Sequence, residues 1–239
     1  MPNNARNGAQ TWRAKRLFYC GATAALWLVM FAGFARTFFL SSHFGTSGAL
    51  APLLVVHGCA MTAWLTLLVV QSTLIAADRV AWHRALGVVG SLLAALVTVL
   101  MVMVTFRFGQ RAMVAGLPSS RFLFAVSLAS PISFGALMLA ALLLRGRGEY
   151  HKRLVILAGA ELVSAALSRV PALAALGPVG FFGASDLFVA ALAIHDWVTL
   201  RRVHPVTLWG GGGLLLSQPL RIFIAAQPAV LALTRHLIH

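Results

Sequence analysis

The chain is 239 residues long, 60% hydrophobic and only 10% charged, with a mean hydropathy of +0.88. This excludes a soluble domain, of whose residues about a quarter are charged. The 19 lysines and arginines against five acids leave a formal charge of +14, but these cations fall in short gaps between apolar runs, where they meet anionic lipid headgroups and not nucleic acid.

The opening stretch 1–16, MPNNARNGAQTWRAKR, is polar and basic and reads as a cytoplasmic N-terminal segment ahead of a membrane domain over 17–235. The first apolar run, 17–40, is too long for a signal-peptide core and reads as a retained crossing. The second, 50–76, carries HGCAMTAWLTLLVVQ, in which His57, Met61, Trp64 and Gln71 follow spacings of four, three and seven. That spacing places all four on one helical face. An imidazole there suits a haem axial ligand, a proton relay or a hydrogen-bonded packing residue. Cys20 and Cys59 both lie in apolar runs, which argues against a disulfide and reads as packing.

DRVAWHRALG, at 78–87, separates the second run from a third at 84–106. A fourth run covers 121–144, RGEYHKRL follows at 147–154, and a fifth run covers 153–175. The sixth run, 180–200, is delayed by GPVGFFGASD; RRVHPVTL then leads into a seventh, 206–233, interrupted by GGGG and QPLR. The expectation is an all-α bundle of seven transmembrane helices, N-in/C-out by its basic loops, with three helical hairpins resembling one another. Six crossings and a re-entrant segment are the alternative.

This topology sorts the polar residues by depth. His83, His151 and His204 fall at the cytoplasmic boundary, at the level of His195 and Asp196. Arg36, His57, Arg169, Asp186 and Arg221 fall nearer the other face. Glu161 is about 15 Å deep at 1.5 Å per residue. Three imidazoles from three helices form a candidate tripod for a transition metal or haem, with Asp78, Glu149 and Asp196 as nearby carboxylates. The opposing reading makes the same histidines interfacial anchors beside Trp82 and Tyr150, with Arg84, Lys152, Arg153, Arg201 and Arg202 turned to headgroups. At the outer level, Arg36, Arg169 and Arg221 exceed their candidate partners Glu161 and Asp186. The remainder suits a carboxylate, a phosphate or haem propionates, or it belongs to a structural ion-pair network. Glu161, Asp186 and Asp196 are the candidates for a proton relay or ion pairs.

HGCAMTAWLTLLVVQSTLIAADRVAWHRALG, HKRLVIL, RRVHPVTLWG and SQPLR together resemble an uncharacterised family of bacterial multi-pass inner-membrane proteins with HR-x-L-G, HKR and R-x-HP turns. The likeness covers about 50–225 of this chain and implies a bacterial inner-membrane location. The matching positions are His57, Trp64, Gln71, His83, Arg84, His151, Lys152, Arg153, His204, Pro205 and Arg221. The chain is also similar to cytochrome b561-type haem proteins, which ligate haem through histidines on successive helices. That likeness implies haem b between His83 and His151 at the inner level; at the outer level His57 has no intramembrane histidine to pair with. Functionally the expectation is a haem- or metal-binding redox protein with a redox partner. The alternative is a transporter or binding protein for an anionic or amphipathic small molecule, and a membrane-embedded metal hydrolase ranks third.

Overall fold

The computed structural model describes residues 2–45, 50–116 and 120–237, and its regular structure among these is helical. In order come α1 (Pro2–Phe34), a wider π turn at Ala35–Phe39, α2 (Ser41–Phe44), α3 (Pro52–Ala76), α4 (Val80–Val114), α5 (Ser120–Leu143) and α6 (Gly148–Leu167). After them come α7 (Pro171–Ala175), α8 (Gly177–Leu200), a second π turn at Thr207–Gly211, α9 (Gly212–Ala225) and α10 (Pro228–Leu237). The side chains of the basic segment, Arg6, Arg13 and Lys15 included, lie outside the described residues, as do parts of the expected outer loops at 46–49 and 117–119.

Among the described residues, five helices are long and apolar enough to cross a bilayer: Arg16–Phe39, Pro52–Ala76, Val80–Val114, Ser120–Leu143 and Gly177–Leu200. The pair Thr207–Ala225 and Pro228–Thr234, bent by 81°, makes a sixth if taken as one span. The protein is therefore an all-helical, multi-pass membrane bundle. The run expected to cross at 153–175 ends earlier: α6 stops at Leu167 after 20 residues, and the short α7 follows. Lys152, Arg153 and Glu161 keep α6 outside the apolar set. The sixth run starts earlier than expected, because Gly177 and Pro178 open α8 instead of delaying it, as proline does in a first helical turn.

α6 holds the centre. Every residue from Arg153 to Ser164 is buried, the pattern of a helix covered on all sides, and α1, α5 and α8 pack around it. The outer helices turn Leu28, Leu92, Val99, Leu139 and Leu216 outward, where lipid replaces water as the solvent. Trp64 of α3 meets Phe134 of α5 edge to face at 5.2 Å, so the face predicted for His57, Met61 and Trp64 does point into the bundle. Gly33 lets α1 approach α6 closely, since a Cβ there would fall 2.4 Å from the Ala166 carbonyl oxygen.

The glycines at 210–213 do not break the last span. Gly211 lies against α8, where a Cβ would stand 2.8 Å from Val189 Cγ1, and the helix continues through Pro219. The bend falls beyond Ala225, ahead of Pro228, whose ring cannot extend the helix behind it. Of the three breaks at the histidine-bearing end, those after α3 and α8 use a left-handed residue that is not glycine: Asp78 (φ 59°) and Arg201 (φ 57°). Arg16 of α1 ties down the first of these turns, donating to the Ala76 carbonyl at 2.9 Å and to both Asp78 oxygens. Those bonds hold the exposed Asp78 carboxyl below the usual carboxylate range.

Candidate functional site

At the end of the bundle shared by Arg16 and Asp78, the central residue is Arg153. It is 1% exposed and turns inward, correcting the expectation that it reaches for headgroups. Its Nε donates to Asp196 Oδ1 at 3.0 Å and Oδ2 at 3.3 Å, and its Nη2 donates to Oδ1 as well. Its Nη1 donates to the Glu149 carbonyl at 2.7 Å and to Glu149 Oε2 at 2.6 Å. Asp196 is fully buried. It also accepts from Thr207 Oγ1 at 2.5 Å and from the His204 backbone N–H at 3.1 Å. One carboxylate thus joins α6, α8 and the loop after α8. Glu149 takes Lys152 Nζ at 2.7 Å, and that ammonium lies 4.6 Å from the Tyr19 ring centre. His195 stacks on Phe18 at 3.9 Å.

The expected tripod of His83, His151 and His204 does not form. Among the described residues no group of three His, Cys, Asp or Glu side chains is placed to hold a metal ion. His204 belongs to the Asp196 cluster, its ring edge-on to Tyr150 at 5.0 Å and its Nδ1 accepting the Val206 N–H at 3.2 Å. Burial, followed by the Arg153 charge, holds its imidazole below the ordinary histidine range.

His83 and His151 do come together. Their ring centres are 6.5 Å apart and the rings lie at 78°. His151 Nδ1 lies 2.8 Å from the carbonyl oxygen of Ala141 in α5, which can only accept, so Nδ1 carries a proton. His83 Nδ1 is buried without a hydrogen-bond partner, and its ring faces the Gln71 backbone. Gln71 Oε1 is also buried and unpartnered. These two buried polar atoms, His83 Nδ1 and Gln71 Oε1, leave bonding capacity unused at this end of the bundle.

The outer half holds a second polar group. Arg221 Nη1 donates to Glu161 Oε1 at 2.9 Å and Nη2 to Oε2 at 3.2 Å. Ser217 Oγ takes Nη2 at 2.8 Å and Ser130 Oγ takes Nη1 at 3.2 Å, while the guanidinium lies 5.3 Å from the Phe182 ring. Asp186 Oδ1 accepts from Gln218 Nε2 at 2.7 Å. The expected three-arginine cluster is not assembled around these acids. Arg169 donates to the Ala165 carbonyl at 2.5 Å and lies over Phe34 at 4.0 Å, and Arg36 lies over Phe44 at 5.1 Å. Arg169 is the charged group facing His57, whose Nδ1 is buried without a partner.

Cys20 is half-buried, whereas Cys59 is exposed and both are unbridged; Cys59 lines an apolar groove with Phe38, Phe39, Thr62 and Leu93. Ser130, Thr207, Ser217 and Gln218 were not singled out from sequence. They are neutral polar residues in apolar runs: Ser130, Thr207 and Ser217 each bond a buried charge, and Gln218 bonds the half-buried Asp186. The signal available for them was depth alone: a polar side chain inside a span needs a partner. Comparison of the chain with protein-family models, curated proteins and solved structures finds no match.

Proposed function

We propose that this is a redox protein of the bacterial inner membrane that binds haem b or a transition-metal ion between His83 and His151. The chain would cross seven times, N-in/C-out, with α6 as the charged central crossing. The observation that carries this reading is the separation of the two imidazoles. At 6.5 Å between ring centres, the two imidazoles come from two helices to one place, where they would together hold such a group. The Ala141 carbonyl on His151 supports the same reading, because ligating histidines are oriented by a hydrogen bond at their other nitrogen.

When bound, such an iron or copper centre would supply one-electron chemistry. The protein's own part is to hold the two rings, through the Ala141 carbonyl and the Gln71 backbone, and to shield them beneath the bilayer surface. The test is purification in detergent, followed by an absorption spectrum and metal analysis. A Soret band that moves on reduction with dithionite, and that disappears in both His83→Ala and His151→Ala, is the expected result. Stoichiometric metal without that band would narrow the cofactor to an ion. Neither signal in the wild-type protein sinks the proposal.

One observation favours a second reading, a transporter or binding protein for an anionic or amphipathic molecule. The last span bends by 81° next to the Glu161–Arg221 pair, and broken helices line substrate sites in many transporters. A cofactor-free protein in the experiment above would promote this reading.

A further inference from the structure

We propose that Asp186 is a proton-binding carboxyl within the membrane, poised against the Glu161–Arg221 pair. The proposal does not rest on the histidine site. The chain has five acids, and among the described residues four of them hold a cation: Asp78 holds Arg16, Glu149 holds Lys152 and Arg153, Asp196 holds Arg153, and Glu161 holds Arg221. Asp186 is held by a neutral amide, Gln218 Nε2, at one oxygen. An amide satisfies a lone pair but cancels no charge. A carboxylate within a bilayer span either finds a counter-charge or takes up a proton, and Oδ2 is the oxygen left to carry it.

The groups facing Asp186 make the site two-state. From α6 comes Glu161, whose negative charge opposes a second one nearby. From α9 come Gln218 and Arg221. Arg221 also lies near the ring of Phe182, one turn before Asp186 on the same helix, so its guanidinium reaches this face of α8. α7 and the second π turn carry no titratable side chain, and those of α1 between Leu17 and Phe34 are Tyr19 and Cys20, toward the opposite end. With Asp186 protonated, Glu161 is the carboxylate that Arg221 holds, at 2.9 and 3.2 Å. When the O–H bond at Oδ2 breaks and the proton leaves to water, two carboxylates share one guanidinium, and Arg221 must shift toward α8. Uptake reverses both changes. Proton binding at Asp186 is thereby linked to the packing of α6, α8 and α9.

The test is infrared difference spectroscopy of the full chain in lipid nanodiscs, compared in light and heavy water. At neutral pH the wild type is expected to show the carbonyl stretch of a protonated carboxylic acid, shifted by deuterium. It should vanish in Asp186→Asn and weaken in Glu161→Gln, where Arg221 is released to pair with Asp186. Heavy-carbon labelling of the aspartate carboxyls in the wild type must shift the same band, so the assignment stands even if a variant fails to fold. Absence of the band at neutral pH, or its indifference to aspartate labelling, overturns the proposal.

Discussion

Arg221 grips Glu161 with both terminal nitrogens, at 2.9 and 3.2 Å, and the two side chains are 4% and 2% exposed. Sixty residues separate them in sequence, and the pair fastens α9 to the central helix where no water can replace either partner. Removing one member leaves the other as a buried, uncompensated charge.

Arg221→Leu and Glu161→Leu are therefore each expected to destabilise the protein by about 3–5 kcal/mol. The double variant, which leaves no charge behind, should lose much less than the sum. Thermal midpoints of all four proteins in one detergent give the comparison. Additive losses would show that the two residues act separately.

Asp196 serves three partners at once, so its replacement should reach further than loss of one ion pair. Asp196→Ala leaves the buried Arg153 with Glu149 alone and also releases the His204 N–H and the Thr207 hydroxyl. The expected outcome is a loss on the order of 3 kcal/mol or more, together with faster hydrogen exchange of the amides between 201 and 207. Thr207→Val removes one hydrogen bond and should cost only about 1 kcal/mol, with little change in exchange at Arg202. Equal effects of the two substitutions would contradict the role assigned to Asp196.

His204 gives the loop after α8 a dependence on acid. Its Nδ1 accepts the Val206 N–H and so must be unprotonated there. The groups around the ring are Tyr150, Arg153, Asp196, Glu149 and Lys152. Burial and Arg153, outweighing the acids, lower the folded-state pKa, so the unfolded chain binds the proton more readily. Stability from this group is then full above the unfolded value of about 6.5 and falls as pH drops from there through the folded value. Exchange of the Val206 amide, corrected for its intrinsic pH dependence, should rise over that range. In His204→Ala it should be fast throughout and show no such step.

How much of this was readable in advance depended on distance along the chain. The inward face of α3 follows from spacing within one helix, and His57, Trp64 and Gln71 stand where that spacing put them. The depth order was also readable: Asp196, His204 and His151 share one end, and Glu161 lies between levels. Which charges meet was not readable, because Arg153 finds Asp196 across 43 residues and the choice depends on how α6 and α8 pack. Of the basic tripeptide His151–Lys152–Arg153, the first turns to a carbonyl, the second to the surface carboxylate of Glu149, and the third to both Glu149 and the buried Asp196. The glycine run at 210–213 looked like a break because glycine weakens helices in isolation; its role emerges only against Val189 and Leu157 on the neighbouring helices.

Two glycines of α1 provide a matched test of the packing around α6. A Cβ at Gly33 would stand 2.4 Å from the Ala166 carbonyl oxygen and 2.7 Å from the Ala166 Cβ, whereas one at Gly21 would meet nothing within 4 Å. Backbone cannot retreat as a flexible side-chain tip can, so Gly33→Ala must push α1 off α6. The expected loss is about 1–3 kcal/mol from overpacking. Gly21→Ala has the opposite sign, a gain of about 0.5–1 kcal/mol from the lower entropy of the unfolded chain. Both variants change the same residue type in the same helix, so helix propensity cancels between them and the difference reports the α1–α6 approach. Thermal midpoints for Gly33→Ala and Gly21→Ala that move together, in either direction, would show that α1 does not seat on the central helix at Ala166.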